Sequence, residues 1–245
     1  KRNKSDFVLW FTKSKFDSQE LNWDSPWGVG YPCWHIECSA ISMKHLGEYL
    51  DLHCGGVDNI FPHHTNEIAQ SEAAVGHPWC SHWFHVQHRA GKMSKSKGNI
   101  LTVSVLQEKG YDPLVYRMFC LQSHYRKPLE FSYDTLDNSK AAYERLLNRI
   151  AGIPQEGETN AAQFEDYRRR FIEKVGNDLN TSLGLTVLYD LLKDSDVNGA
   201  TKRAIIADFD RVLSLNLLSG GTNTAEEHSD EFVRYVEGLI RERAE

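Results

Sequence analysis

Two regimes of apolar spacing divide this chain, and the change between them limits the possible folds more than any other feature. Up to about Asn99 the apolar residues come in short runs, such as Phe7 to Phe11 and Leu50 to Leu52, among many Trp, His, Gly and Pro residues. Short runs of that kind suit strands separated by loops. Ala40, Ile41, Met43, Leu46 and Tyr49 recur at helical spacing after Glu37, with Gly47 weakening the end of that helix. The segment His64 to Val75 reads as a second helix, with Ile68, Ala69 and Ala73 on one side. Alternating strand-like and helix-like segments predict an α/β layer. From Leu114 the spacing is helical throughout: Leu114, Val115, Met118 and Leu121, then Leu146, Leu147 and Ile150. A polar stretch with Pro and Gly, Ile153 to Asn160, is the best linker candidate. Beyond it, stripes led by Phe164, Leu185, Ile205 and Phe232 predict four amphipathic helices and hence an α-helical bundle.

At 245 residues, with 40% hydrophobic and 25% charged residues, the chain can bury a real core, as one large domain or two smaller ones. It has no apolar run long enough to cross a bilayer, and Phe7 to Phe11 is too short for a signal peptide, so the expected location is cytoplasmic. Cys33, Cys38, Cys54, Cys80 and Cys120 are odd in number and form no CxxC pair. A disulfide framework is disfavoured, while thiol chemistry and metal ligation stay open. The net charge of −6 argues against general nucleic-acid affinity, leaving only local basic patches: Lys1 to Lys15, Arg126-Lys127, Arg168-Arg169-Arg170 and the loop described next.

Gly91-Lys92-Met93-Ser94-Lys95-Ser96-Lys97-Gly98-Asn99 places three lysines and two serines between glycines. Mobile ammonium groups and hydroxyls suit a polyphosphate, and a cation placed there would meet charge developing on pyrophosphate during attack at the α-phosphorus. A solvated Lys/Ser turn is the competing reading. His63 and Glu67, four residues apart just after Pro62, share one face of any helix that begins there. Cys38 offers a thiolate from elsewhere in the α/β layer. Together Cys, His and Glu suit zinc with one position left open, although a core cysteine beside a polar helix surface would look the same in sequence.

Lys92 to Ser96 reads KMSKS, which resembles the second signature of class I aminoacyl-tRNA synthetases. Trp34-His35-Ile36-Glu37-Cys38-Ser39-Ala40, then Asp51-Leu52-His53-Cys54-Gly55-Gly56-Val57-Asp58, then Phe61-Pro62-His63-His64-Thr65-Asn66-Glu67 resemble the core of the cysteinyl-tRNA synthetase family. Asp6 to Trp10, Ser25 to Gly28 and His124-Tyr125-Arg126 extend the resemblance, and Asn177 to Thr181 carries it more weakly into the helical tail. The resemblance implies a Rossmann-like α/β catalytic half over residues 1–99, a connecting region over 100–160 and a tRNA-binding helical bundle over 161–245. It implies one zinc per chain, held by Cys38, His63 and Glu67, that binds the substrate thiolate and so separates cysteine from serine. Trp34 and His53 would lie at the substrate, Gly55, Gly56 and Asp58 at ATP, and Lys92 and Lys95 would be catalytic, with Lys95 contacting the ATP phosphates. The implied partners are tRNA(Cys), L-cysteine and ATP with Mg2+, with no membrane and a monomeric full-length protein.

The resemblance is incomplete. The earlier HIGH motif and one further zinc cysteine of the family have no counterpart, and His45-Leu46-Gly47-Glu48 echoes HIGH only superficially. The expectation is therefore a fragment or processed chain that does not activate cysteine unaided. Cys33 and Cys54 stand where the family usually has glycine, which raises Cys54 as a substitute ligand. Two rival expectations are a cysteine ligase of mycothiol biosynthesis, which lacks a glutamate at the position of Glu67, and a non-catalytic tRNA-binding module derived from a synthetase.

Overall fold

The computed structural model describes residues 2–13, 21–87 and 102–219. The chain divides into two compact units: Lys1–Ile100 with Ser123–Ser132, and Leu101–Gln122 with Tyr133–Glu245.

The first unit is α/β, as its mixed spacing predicts. A short antiparallel pair, β1 (Trp10–Phe11) and β2 (Tyr31–Pro32), leads into helix α1 (Trp34–Leu46). Gly47 ends α1 at φ 86°, in the left-handed region that glycine occupies without steric cost. Strand β3 (Leu50–Gly56) follows, then a 3-10 turn (Val57–Asn59), a wider turn (Ile60–His64), helix α2 (Thr65–Val75) and strand β4 (Cys80–Val86). Strands β3 and β4 pair in parallel, with Leu50 opposite Cys80 and Gly56 opposite Val86, and α2 forms the crossover that parallel pairing requires. Helix α1 packs on α2 through a polar seam: Gln70 Nε2 and Ser71 Oγ donate to Ser39 Oγ at 2.7 and 2.9 Å.

The second unit is entirely helical in its described part: α3 (Val103–Glu108), α4 (Pro113–Leu121), α5 (Tyr133–Ala151), α6 (Ala161–Gly176), α7 (Thr181–Lys193) and α8 (Gly199–Leu213). Three of these helices start at an asparagine whose side-chain oxygen accepts a backbone N–H three residues on: Asn160 from Gln163 (3.1 Å), Asn180 from Leu183 (3.1 Å) and Asn198 from Thr201 (2.8 Å). The stripes seen in sequence meet in the core, where Phe171 of α6 stacks on Phe209 of α8 at 4.1 Å, with Leu188, Leu191 and Ile205 fully buried. The polar stretch after α5 is tied to the start of α8, since Glu156 O accepts from Ala200 N and Glu158 O accepts from Asn198 Nδ2 at 2.9 Å. The expected fourth helix, around Phe232 to Ile240, lies outside the described residues. Among the described residues no helix is long and apolar enough to cross a membrane.

Candidate metal centre

Alternation along β3 sends His53 and Gly55 to one side of the strand and Cys54 to the other. Glu67 lies in the first turn of α2, and His63, four residues earlier, reaches the same face, its Nε2 3.6 Å from Glu67 Oε2. Cys38 comes from α1. The ligand atoms of Cys38, His63 and Glu67 all lie within 4.8 Å of one another. A second set, His53, His64 and Glu67, meets the same criterion, with His53 Nε2 3.0 Å and His64 Nε2 3.8 Å from Glu67 Oε2. Cys54 is exposed and belongs to neither set.

Glu67 is 0% exposed and its Oε1 has no hydrogen-bond partner. A buried carboxylate oxygen without a donor costs several kcal/mol unless a cation or proton satisfies it. The donors around Glu67 are suited to a cation. Burial, together with the neighbouring imidazoles of His53, His85 and His63, pushes His64 down to about 4, so near neutral pH its ring has a free lone pair. His35 is lowered by burial and by His63, and His85 by burial and by His53. Burial, then the charges of Glu67 and Glu37, push the Cys38 thiol upward. A divalent cation would reverse that, because metal coordination favours the thiolate. The residues present thus fit a metal, and the His/Cys/Glu set could hold one.

Neighbouring groups fix the ligand rings. His35 Nδ1 lies 3.2 Å from His63 Nδ1, while Asn66 Nδ2 lies 3.1 Å from the other His35 nitrogen, Nε2. Gln70 Nε2 donates to the His35 carbonyl, holding that turn of α1 against α2. His85 Nε2 meets His64 Nδ1 at 2.8 Å, turning His64 Nε2 toward Glu67. Trp34, at the start of α1 and 58% exposed, lies over His63 with ring centroids 4.2 Å apart. Gly55 leaves the space that the His64 ring fills, for a Cβ there would stand 2.6 Å from His64 Cε1.

Residues 1–141 match the profile of the tRNA synthetases class I (C) catalytic domain. The chain belongs to that family. It is 41% identical to the cysteine-tRNA ligase of Borreliella afzelii over 99% of its own length and 54% of the relative's. It is likewise 41% identical to the cysteine-tRNA ligase of Treponema denticola, covering 100% of this chain and 55% of that one. The chain of this class I family member therefore spans about half the length of the curated relatives it matches. Among solved structures, the LeuRS of Agrobacterium radiobacter K84, crystallised as a ternary complex with tRNA and LeuAMS, aligns over 85% of this chain and 35% of that chain, with a TM-score of 0.51 and 14% identity. That likeness is one of fold.

Of the remaining residues singled out in sequence, Gly56 closes β3 and Asp58 sits in the 3-10 turn that follows, at the C-terminal end of the parallel strands. Ligands of open α/β sheets bind at that end. Lys92 and Lys95 lie outside the described residues. The Arg168-Arg169-Arg170 tract is matched by acids: Arg168 with Asp208 at 3.5 Å and Glu165 at 3.6 Å, Arg169 with Asp166, and Arg170 with Asp190 at 3.5 Å. Those partners lower its value as a phosphate-binding patch. Sequence reasoning gave no role to His64, His35 or His85. The His63-His64 doublet was a visible signal, but only the fold shows that both rings turn toward Glu67.

Proposed function

We propose that this chain is the metal- and nucleotide-handling portion of a cysteine-tRNA ligase, which activates cysteine with ATP and passes it to tRNA(Cys). The observation that carries this reading is the fully buried Glu67, with one bare carboxylate oxygen, gathered with Cys38 and His63 in a chain 41% identical to curated cysteine-tRNA ligases. In this reading Cys38, His63 and Glu67 hold zinc. Bound there, zinc supplies an electrophile that takes a thiolate and leaves a neutral hydroxyl, which separates cysteine from the nearly isosteric serine where pocket shape alone would not.

The chain's own residues do the rest. His35, backed by Asn66, fixes the His63 ring and keeps its Nε2 directed at the carboxylate. Trp34 closes the site over His63 and offers a ring face that attracts the substrate ammonium. His53, at 3.0 Å from Glu67, holds that carboxylate in place and lies at the substrate. Gly56 lets a nucleotide approach the backbone, whereas the space at Gly55, expected at ATP, is taken by the His64 ring, and Asp58 accepts hydrogen bonds from ribose hydroxyls. Lys92 and Lys95 meet the charge that builds on pyrophosphate as the α-phosphorus is attacked. Helices α6, α7 and α8 contact tRNA. Glu67 favours the ligase over the mycothiol-pathway rival, which lacks a glutamate at that position.

The test is cobalt(II) substitution read by absorption. The loaded chain should show thiolate-to-cobalt charge transfer that strengthens with L-cysteine and not with L-serine, and Cys38→Ser should abolish the band seen without amino acid. A spectrum indifferent to L-cysteine would overturn the reading.

A further inference from the structure

Two sets of ligands share Glu67, and the proposed function uses only one. The other consists of His53 on β3 and His64 in the turn before α2, both with Nε2 directed at Glu67 Oε2, at 3.0 and 3.8 Å. This second set is built as well as the first. His85 holds His64 from behind at 2.8 Å, and Gly55 opens the space its ring occupies. Trp83 and Trp79 wall in His53, with ring centroids 4.8 and 5.7 Å away. His64 and Glu67 are 3% and 0% exposed and the His53 side chain 20%, so a cation bound here is largely removed from water, with its open side at His53.

Charge decides how the two sets relate. One carboxylate and one thiolate neutralise a single divalent cation, whereas two such cations would leave two uncompensated positive charges in a buried pocket. The positions are therefore alternatives. We propose that His53, His64 and Glu67 form a second, thiolate-free position for a divalent cation, exclusive with the position at Cys38, His63 and Glu67. Donor softness sorts the ions between them: two imidazoles and a carboxylate suit nickel and cobalt, while the thiolate set suits zinc and cadmium. A cation in the second position occupies the carboxylate on which the first position depends. This inference goes beyond the proposed function; it shares Glu67 with that reading's ligand set and gives His53, a positioning group there, the role of ligand.

The experiment is a cobalt(II) titration of the metal-free full chain and of two variants, each checked for native circular dichroism. Cys38→Ser/His63→Ala should still take up one cobalt per chain, without thiolate charge transfer, and adding His64→Ala should weaken binding by about tenfold or more. Failure of the double variant to bind cobalt, or binding that ignores His64→Ala, overturns the proposal. X-ray absorption of the nickel-loaded unmodified chain tests it without mutation: an all-nitrogen-and-oxygen shell is expected, and a sulfur scatterer counts against it. The two readings fail separately. Thiolate charge transfer in the unmodified chain with no cobalt in the double variant sinks only the second position. Cobalt that shows no thiolate band yet is lost on His64→Ala sinks only the first.

Discussion

Gly55→Ala tests how the centre is built. An added Cβ would stand 2.6 Å from His64 Cε1, 2.9 Å from His64 Nε2 and 3.1 Å from Asn59 Nδ2. Carbon contacts settle near 3.5 to 4.0 Å, so the imidazole must retreat by about 1 Å. It cannot do so freely, because its Nδ1 is held at 2.8 Å by His85 Nε2. Overpacking of this kind costs about 1–3 kcal/mol and loss of the imidazole pair about 0.5–1.5 kcal/mol, against about 0.5–1 kcal/mol gained by replacing glycine in a strand. The expected net loss is about 2 kcal/mol, roughly a thirtyfold fall in the folding constant. The assay is equilibrium urea unfolding of the metal-free chain followed by tryptophan fluorescence, alongside imidazole nitrogen shifts. Gly176→Ala is the control: a Cβ there meets nothing within 4 Å at the end of α6, and its expected effect is neutral to slightly stabilising. A Gly55→Ala chain as stable as the unmodified one, with the His64 shifts unmoved, would refute the reasoning.

Other outcomes follow from the same geometry. The folded chain holds His64 near 4, against an ordinary value of 6.5. The metal-free protein therefore has the full His64 contribution above about pH 6.5 and loses it as pH falls through about 4, a change of up to about 3 kcal/mol. Urea midpoints between pH 7 and 4 should show that slope, and His64→Asn should flatten it; an equally steep slope in the variant would assign it to other groups. Asn198→Ala removes the cap of α8 and the bond to the Glu158 carbonyl, and should cost about 1–2 kcal/mol by thermal unfolding. A loss under a few tenths would mean that the preceding segment does not depend on this cap. Glu67→Gln removes the carboxylate common to both ligand sets and should lower cobalt affinity by about a hundredfold or more. Undiminished binding would place the metal elsewhere.

Much of the fold was legible because local chemistry dictated it. The stripes of α6, α7 and α8 bury one face by their spacing. Gly47 marks the end of α1, where φ of 86° suits glycine. The polar stretch before α6 was less legible. Its residues read as a tether, and only packing shows Glu156 and Glu158 accepting hydrogen bonds at the start of α8.

At the centre, spacing alone placed His63 and Glu67 on one face, since four residues make about one helical turn. Cys38 entered through order and resemblance. What only the tertiary structure decided is that α1, β3, β4 and the turn before α2 bring five imidazoles and a thiol around one carboxylate that water does not reach. Sequence spacing reports neighbours along one helix or strand. Burial of Glu67, the aim of His64 and the sharing of one carboxylate by two ligand sets arise between elements brought together by packing, where charge is costly unless it is matched.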